Sequence, residues 1–301
     1  MQKSTLTGNF FALMLIISMF AFNFYFPPIQ KILPQNTIVI LIAGRLIMFG
    51  IPMAVFFTVT KEPAKNVFFL NYISPVNIIL IFLISIIIQP ILMTVSALSS
   101  FFVPNAAASY LKEMNSLPST AALFITSVLP AFLEELYFRG IILSNYTCVS
   151  QTKSCLFVGL LFGMAHLNGQ QFFYAFLMGT IFCYFVIRTG SIFSSILSHL
   201  VINGSQTILS AMVMRSAPQV SQSAEAVSQS LQSFMPLMYF ALLTLIPLAA
   251  LIYIFDVINR NPQKFHIQNT KITFVETFPK QKVINWPFVT FAVIFLYYIF
   301  I

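Results

Sequence analysis

Glu134 and Glu135 stand side by side in the segment AFLEELYFRG, with Arg139 four residues beyond the second acid. Two later segments repeat the four-residue spacing: FGMAHLNG places Phe162 before His166, and SHLVINGSQ places His199 before Asn203. On a helix, residues four apart share a face, and an acid preceding a base is the favourable order for an ion pair. Glu135 and Arg139 therefore read as a self-neutralising pair. Glu134 points about 100° away toward a different neighbour. A carboxylate and an imidazole shielded from bulk water can take a proton from a water molecule. An imidazole and an amide can donate to a negative charge developing on a carbonyl oxygen. Together these residues have the makings of a hydrolytic site.

Their surroundings single them out. Ionisable groups inside a bilayer are costly unless paired or facing a cavity, so they are functional candidates. The chain has 7 acidic residues. Glu62, Glu113, Glu225, Asp256 and Glu276 fall in expected loops or at span ends, which leaves Glu134 and Glu135 inside an apolar run. His166 and His199 also lie in apolar runs, and His266 in a loop. Arg45 is an intramembrane cation whose partner is Glu134, Glu135, a backbone carbonyl or a lipid headgroup reached by snorkelling.

The elements that must position these groups are membrane helices. Of 301 residues, 58% are hydrophobic and 7% charged, with a mean hydropathy of +0.90. A soluble domain carries about 25% charged residues. Apolar runs near 9–26, 37–60, 75–98, 119–146, 154–168, 172–187, 191–214, 234–255 and 284–301 predict an all-α, polytopic transmembrane helical bundle of about 8–9 spans. The LNGQQ connection predicts a close hairpin of the two short runs. The first run leads into Pro27 and Pro28 with no small-x-small cleavage site, which reads as an uncleaved anchor rather than a signal peptide.

With a cytoplasmic N-terminus, eleven cations fall inside: Lys3, Lys61, Lys65, Arg139, Lys153, Arg188, Arg260, Lys264, Lys271, Lys280 and Lys282. Three fall outside: Lys31, Lys112 and Arg215. This positive-inside bias gives a cytoplasmic N-terminus and, with nine spans, an external C-terminus. Counting the helical rise places Glu134 and His166 roughly 18 and 19 Å from the cytoplasmic side, and His199 and Asn203 roughly 13 and 20 Å. One shared layer is what a single site requires. The chain reads as one integral membrane domain, 1–301, with a catalytic core at about 119–210, a polar external loop at 216–232 and a basic cytoplasmic loop at 256–283.

The three segments resemble the CPBP family of intramembrane peptidases, the CAAX protease and bacteriocin-processing or Abi family. Its motifs read EExxxR, FxxxH and HxxxN or HxxxD on successive core helices. Here they are Glu134-Glu135-x-x-x-Arg139, Phe162-x-x-x-His166 and His199-x-x-x-Asn203, in that order. The resemblance implies an intramembrane endopeptidase of a bacterial cell membrane, acting on a peptide or membrane-anchored protein. By similarity Glu134 with His166 activates water, and His199 with Asn203 stabilises the oxyanion. Glu135, Arg139 and Phe162 support them. A metal-free glutamate mechanism is favoured, with no cofactor. The alternative is zinc held by Glu134, His166 and His199, although no HExxH is present.

Other classes fit less well. The net charge of +8 comes from short segments between apolar runs, so lipid headgroups and topology explain it, with no nucleic acid. Cys148, Cys155 and Cys183 have neither CxxC spacing nor an even count, and read as small apolar residues. A proton-coupled transporter predicts polar groups strung across the membrane and inverted repeats, neither of which is visible. A non-catalytic scaffold or immunity protein would tolerate loss of the acid or a histidine, yet every motif position is filled.

Overall fold

The structure is a computed structural model that describes residues 3–30, 36–103, 114, 117–216, 231–265, 267, 270–275 and 281–300. Each apolar run of the sequence holds a helix, and the described residues contain no strand. In chain order the helices are α1 (Thr5–Gln30), α2 (Thr37–Thr60), the short α3 (Ala64–Phe68), α4 (Pro75–Ile87) and α5 (Gln89–Ser99). They continue with α6 (Ser119–Tyr146), α7 (Gln151–Ala165), α8 (Gly169–Thr189), α9 (Phe193–Ser216), α10 (Leu231–Arg260) and α11 (Trp286–Phe300). Pro90 sits at the first turn of α5, so α4 and α5 together form one span, Pro75–Ser99.

Among the described residues, six helical stretches are long and apolar enough to cross a membrane: those beginning at Thr5, Thr37, Pro75, Ser119, Gly169 and Phe234. The expected count of 8–9 needs α7, α9 and α11 as well. With 15 residues each, α7 and α11 fall short of about 20. α9 is long enough, but its motif residues and serines dilute its apolar character. Broad apolar faces are open to the surroundings, for example Ile246, Tyr253 and Val59. Surfaces of that kind need a bilayer, and the chain is an integral membrane protein.

Two of the sequence expectations change. Arg139 is wholly buried beside Glu135 and so cannot act as a topology signal, which lowers the inside count from eleven to ten. The expected loop 256–283 starts later, because α10 runs on through Asp256 to Arg260. Within the expected loop 216–232, residues 217–230 lie outside the described residues.

Two cores meet at the centre. One gathers the inner faces of α1, α2, α6, α7, part of α8 and α11 around Phe56, Tyr137, Phe162 and Phe291. The other joins α4, α5, α9 and α10 to the opposite side of α8 around Ile84, Phe182 and Phe255. α8 contributes to both. It pairs with α7 in the expected hairpin, turned by Leu167 in the left-handed region and capped by Asn168, whose side chain accepts from the N–H groups of Gln170 and Gln171. Gly159 and Gly179 meet backbone to backbone there, and a Cβ on Gly179 would stand 2.9 Å from the Gly159 Cα. Small residues let membrane helices approach this closely.

α6 departs from ideal geometry on both sides of the acid pair. Pro130 lacks an N–H and cannot donate back along the helix. The helix before it opens into a π stretch, Phe124–Val128, with Leu129 N–H reaching back to Phe124 O. A second π stretch, Leu136–Ile142, follows Glu135 directly. Such insertions frequently accompany functional sites because they re-aim side chains.

Candidate active site

Glu135 and Arg139 do share one face of α6, and both side chains are fully buried. Arg139 NH1 donates to Glu135 Oε1 at 3.0 Å, and NH2 donates to the backbone carbonyl of Gly179 at 3.0 Å. The absence of a side chain on Gly179 is what brings α7 and α8 close enough for this reach. The guanidinium carbon lies 4.3 Å from the Phe162 ring centroid and 5.2 Å from that of Phe182. One ring belongs to each core, so the charge sits between two aromatic rings at the junction, a favourable cation–π arrangement.

His199 extends this network from α9. Its Nδ1 lies 2.8 Å from Glu135 Oε1 and the ring is buried. With Nδ1–H donating to the carboxylate, Nε2 remains for chemistry. His166, at the C-terminal end of α7, places Nδ1 2.9 Å from Phe162 O, and again Nε2 is the remaining nitrogen. Fixing one ring nitrogen in this way sets the role of the other.

Phe162 is the common wall. Its ring packs edge-on to His166 at 4.9 Å, to His199 at 6.2 Å and to Phe138 at 5.1 Å, in addition to covering Arg139. The FxxxH spacing thus supplies both a surface for His166 and a carbonyl for its Nδ1.

Glu134 faces another way, as its register requires. Its Oε1 lies 3.2 Å from Arg45 NH1, with 12% of the Glu134 side chain and 26% of the Arg45 side chain exposed. Glu134 is thus one partner of Arg45 among those the sequence left open. Glu134, Arg45 and His199 all lie within electrostatic reach of His166, and Tyr174 of α8 lies within reach of Glu134. No sequence signal marks Tyr174, since a tyrosine in an apolar run is ordinary.

Asn203 is tied to the Pro130 irregularity. Thr126 lies in the π stretch that leads into Pro130, which has no N–H to donate. Asn203 Nδ2 donates to that carbonyl at 3.2 Å. An amide nitrogen has two N–H groups, so one fixes the side chain and one is left. A proline four residues before Glu134 was the available hint; its partner on α9 is not visible without the fold.

His166 and His199 thus meet around the Phe162 ring, Asn203 is fixed to α6 at Thr126, and Glu134 meets Arg45 of α2. Among the described residues no three of His, Cys, Asp and Glu gather at metal-binding separations. A guanidinium also stands against Glu134, where a metal cation would be repelled.

The three motif segments fall within one stretch recognised by comparison with known families. Residues 116–205 match the family model for Rce1-like type II CAAX prenyl endopeptidases. The resemblance read from the motifs is borne out over this stretch. Neither the curated proteins nor the solved structures give a match. The Rce1-like stretch runs through α6, α7 and α8 into α9 and ends just after Asn203. It supports an intramembrane CAAX-type endopeptidase in general terms.

Proposed function

We propose that the chain is an intramembrane endopeptidase that hydrolyses a peptide bond with water activated by Glu134 and His166. One observation supports this reading above the others. Phe162 joins both histidines and the buried Glu135–Arg139 pair, so the three motifs meet around one ring. In this mechanism the water oxygen bonds to the peptide carbonyl carbon while its proton passes to Glu134 or to Nε2 of His166. The carbonyl oxygen becomes an oxyanion, held by the second N–H of Asn203 and, with His199 as the imidazolium whose Nδ1–H stays on Glu135, by its Nε2–H. As the C–N bond breaks, the proton returns to the leaving nitrogen, giving a carboxylic acid and an amine, which then exchange a proton to become carboxylate and ammonium. Preorganised donors in a water-poor site carry much of such a barrier reduction.

Glu135 holds the His199 ring, Arg139 neutralises Glu135, and Phe162 spaces the two histidines. The substrate is a peptide or membrane-anchored protein, and no resident metal takes part. The chain crosses a bacterial-type cell membrane nine times, with its N-terminus cytoplasmic and its C-terminus external. The crossings through α7 and α11 are short.

Purified full-length protein in vesicles, given a fluorescent peptide ending in a prenylated-cysteine CAAX sequence, tests this reading. Cleavage should fall by about a thousandfold or more in Glu134→Gln and His166→Ala, with thermal stability retained. Wild-type rates in either folded variant would remove that residue from the mechanism.

A further inference from the structure

Away from the catalytic centre, a cavity of about 660 Å³ lies at the end of the bundle where α8 and α10 finish. Arg260, Lys264, Lys271, Tyr72 and Thr270 help to line it, and among the described residues no acid does. That size suits a small ligand, for which about 300–1,000 Å³ is usual. The three cations come from separate stretches of chain. Arg260 closes α10, Lys264 lies in the turn after it, and Lys271 lies in the irregular segment 270–275. Lys271 also borders a neighbouring cavity, which holds one acid, Glu62, with Lys3 and Lys65.

Gly190 pins the walls of the cavity. It ends α8 in the left-handed region, and a Cβ there would collide with the Thr270 carbonyl. Its own carbonyl accepts from Nδ2 of Asn71 at 2.7 Å, which fixes the chain next to Tyr72. At the far end of the segment, Val275 N–H donates to Thr147 O at 3.0 Å. Asp256, the one acid of α10, is already engaged. Its Oδ1 meets Tyr184 OH and Arg188 Nε, each at 2.8 Å, and its Oδ2 meets Arg260 Nε at 2.7 Å. The lysines are left over: Lys264 and Lys271 are exposed, with no side-chain hydrogen bond or ion pair among the described residues.

Apolar surface leads up to this cationic end. On α10, Tyr239, Ile246, Tyr253 and Arg260 follow at seven-residue steps, close to two turns each, and so form one stripe. The three below Arg260 are all exposed, Ile246 the most at 82%. We propose that the cavity binds the phosphate of an anionic phospholipid whose acyl chains lie along this stripe. A ligand charged at one end and apolar at the other matches both features, whereas a soluble phosphate needs only the cavity. Basic pockets on the cytoplasmic side of membrane helices hold headgroups in this way, and the topology proposed above puts this end in the cytoplasm. The headgroup ties α10 to the segment 270–275 and, through Asp256 and Arg188, to α8.

The test titrates full-length protein in dodecyl maltoside micelles with dioctanoyl phosphatidylglycerol, dioctanoyl phosphatidylcholine and inorganic phosphate. Wild type should bind the phosphatidylglycerol about tenfold or more tighter than the phosphatidylcholine. Lys264→Gln combined with Lys271→Gln should weaken phosphatidylglycerol binding by about tenfold or more, at roughly fivefold for each cation, and leave phosphatidylcholine unchanged. Equal binding of the two lipids by wild type overturns the proposal. Inorganic phosphate bound as tightly as phosphatidylglycerol overturns the lipid assignment and makes the ligand a soluble anion.

Two further variants separate a site from diffuse attraction and from misfolding. Lys61 and Lys153 are exposed cations outside both cavities. Lys61→Gln combined with Lys153→Gln should change phosphatidylglycerol binding by no more than about twofold, because the charge removed is remote from the pocket. A loss as large as that of the Lys264 and Lys271 pair shows general attraction to basic surface and overturns the proposal. Lys264→Arg combined with Lys271→Arg keeps both charges and should keep the binding. Loss there equal to that of the glutamine pair shows that charge is not what binds the lipid and overturns the proposal as well.

Discussion

His199 Nδ1 lies 2.8 Å from Glu135 Oε1, although the two residues are 64 positions apart in sequence. The same oxygen accepts from Arg139 at 3.0 Å. One carboxylate oxygen thus joins α6 to α9, and through Arg139 to the Gly179 carbonyl on α8. Glu135→Gln removes the charge that balances Arg139 while keeping the shape. Breaking a buried pair from one side costs about 3–5 kcal/mol. We expect a large fall in thermal stability together with loss of activity. Unfolding can be followed with a thiol-reactive dye, since Cys148, Cys155 and Cys183 are all buried and free. Burial also pushes the Cys148 thiol up, which slows its reaction in the folded state. An unchanged melting temperature would show that the charge pair carries no stability.

The hairpin between α7 and α8 makes a second prediction through its glycines. A Cβ at Gly159 would stand 2.7 Å from the Thr180 backbone nitrogen and 3.1 Å from Phe176 O. Neither atom can yield without moving the helix. Gly159→Ala should destabilise by about 1–3 kcal/mol, as overpacking does, and should lower activity by shifting Phe162 and Gly179. At Gly50 on α2, an added Cβ would meet nothing within 4 Å. Gly50→Ala should be neutral or stabilise by up to about 1 kcal/mol through helix propensity. Equal melting temperatures for the two variants would contradict the packing argument.

Zinc content can be measured independently. Active protein purified without added metal should contain far less zinc than protein by elemental analysis, and its peptide cleavage should survive a strong chelator. The basis is the Arg45 guanidinium at 3.2 Å from Glu134, a cation where the proposed metal would have to bind. Stoichiometric zinc that is lost together with activity, and restored together with it, would overturn the metal-free mechanism.

How far the sequence could be read depended on the range of each interaction. Helices were legible because lipid exposure demands long apolar runs, and the hairpin because LNGQQ is too short for anything else. The Glu135–Arg139 pair was legible because it is local, four residues along one helix. The partner of Arg45 was not, because four candidates were equally consistent with its position and only the approach of α2 to α6 selects Glu134. The bond from His199 to Glu135 was hidden for the same reason: spacing shows which residues share a face, not which faces meet. Charge counting failed at Arg139, where a cation close to a span end in sequence turned inward to a buried acid.

The link from Pro130 through Thr126 to Asn203 supports the last prediction. Thr126 lies in the π stretch just before Pro130, and Asn203 Nδ2 donates to its carbonyl at 3.2 Å. The site thus uses a helix defect to fix an amide in place. Pro130→Ala supplies a backbone donor beside Thr126 and lets the π stretch relax, and since proline in a helix interior costs about 3 kcal/mol, the variant should be at least as stable as wild type. The competing N–H should loosen Asn203, and kcat should fall by about tenfold with KM little changed. Asn203→Ala should lower kcat as well, and adding Pro130→Ala to it should cost nothing more, since both changes act through one amide. Additive losses, or full activity in Pro130→Ala, would show that the proline and the asparagine work separately.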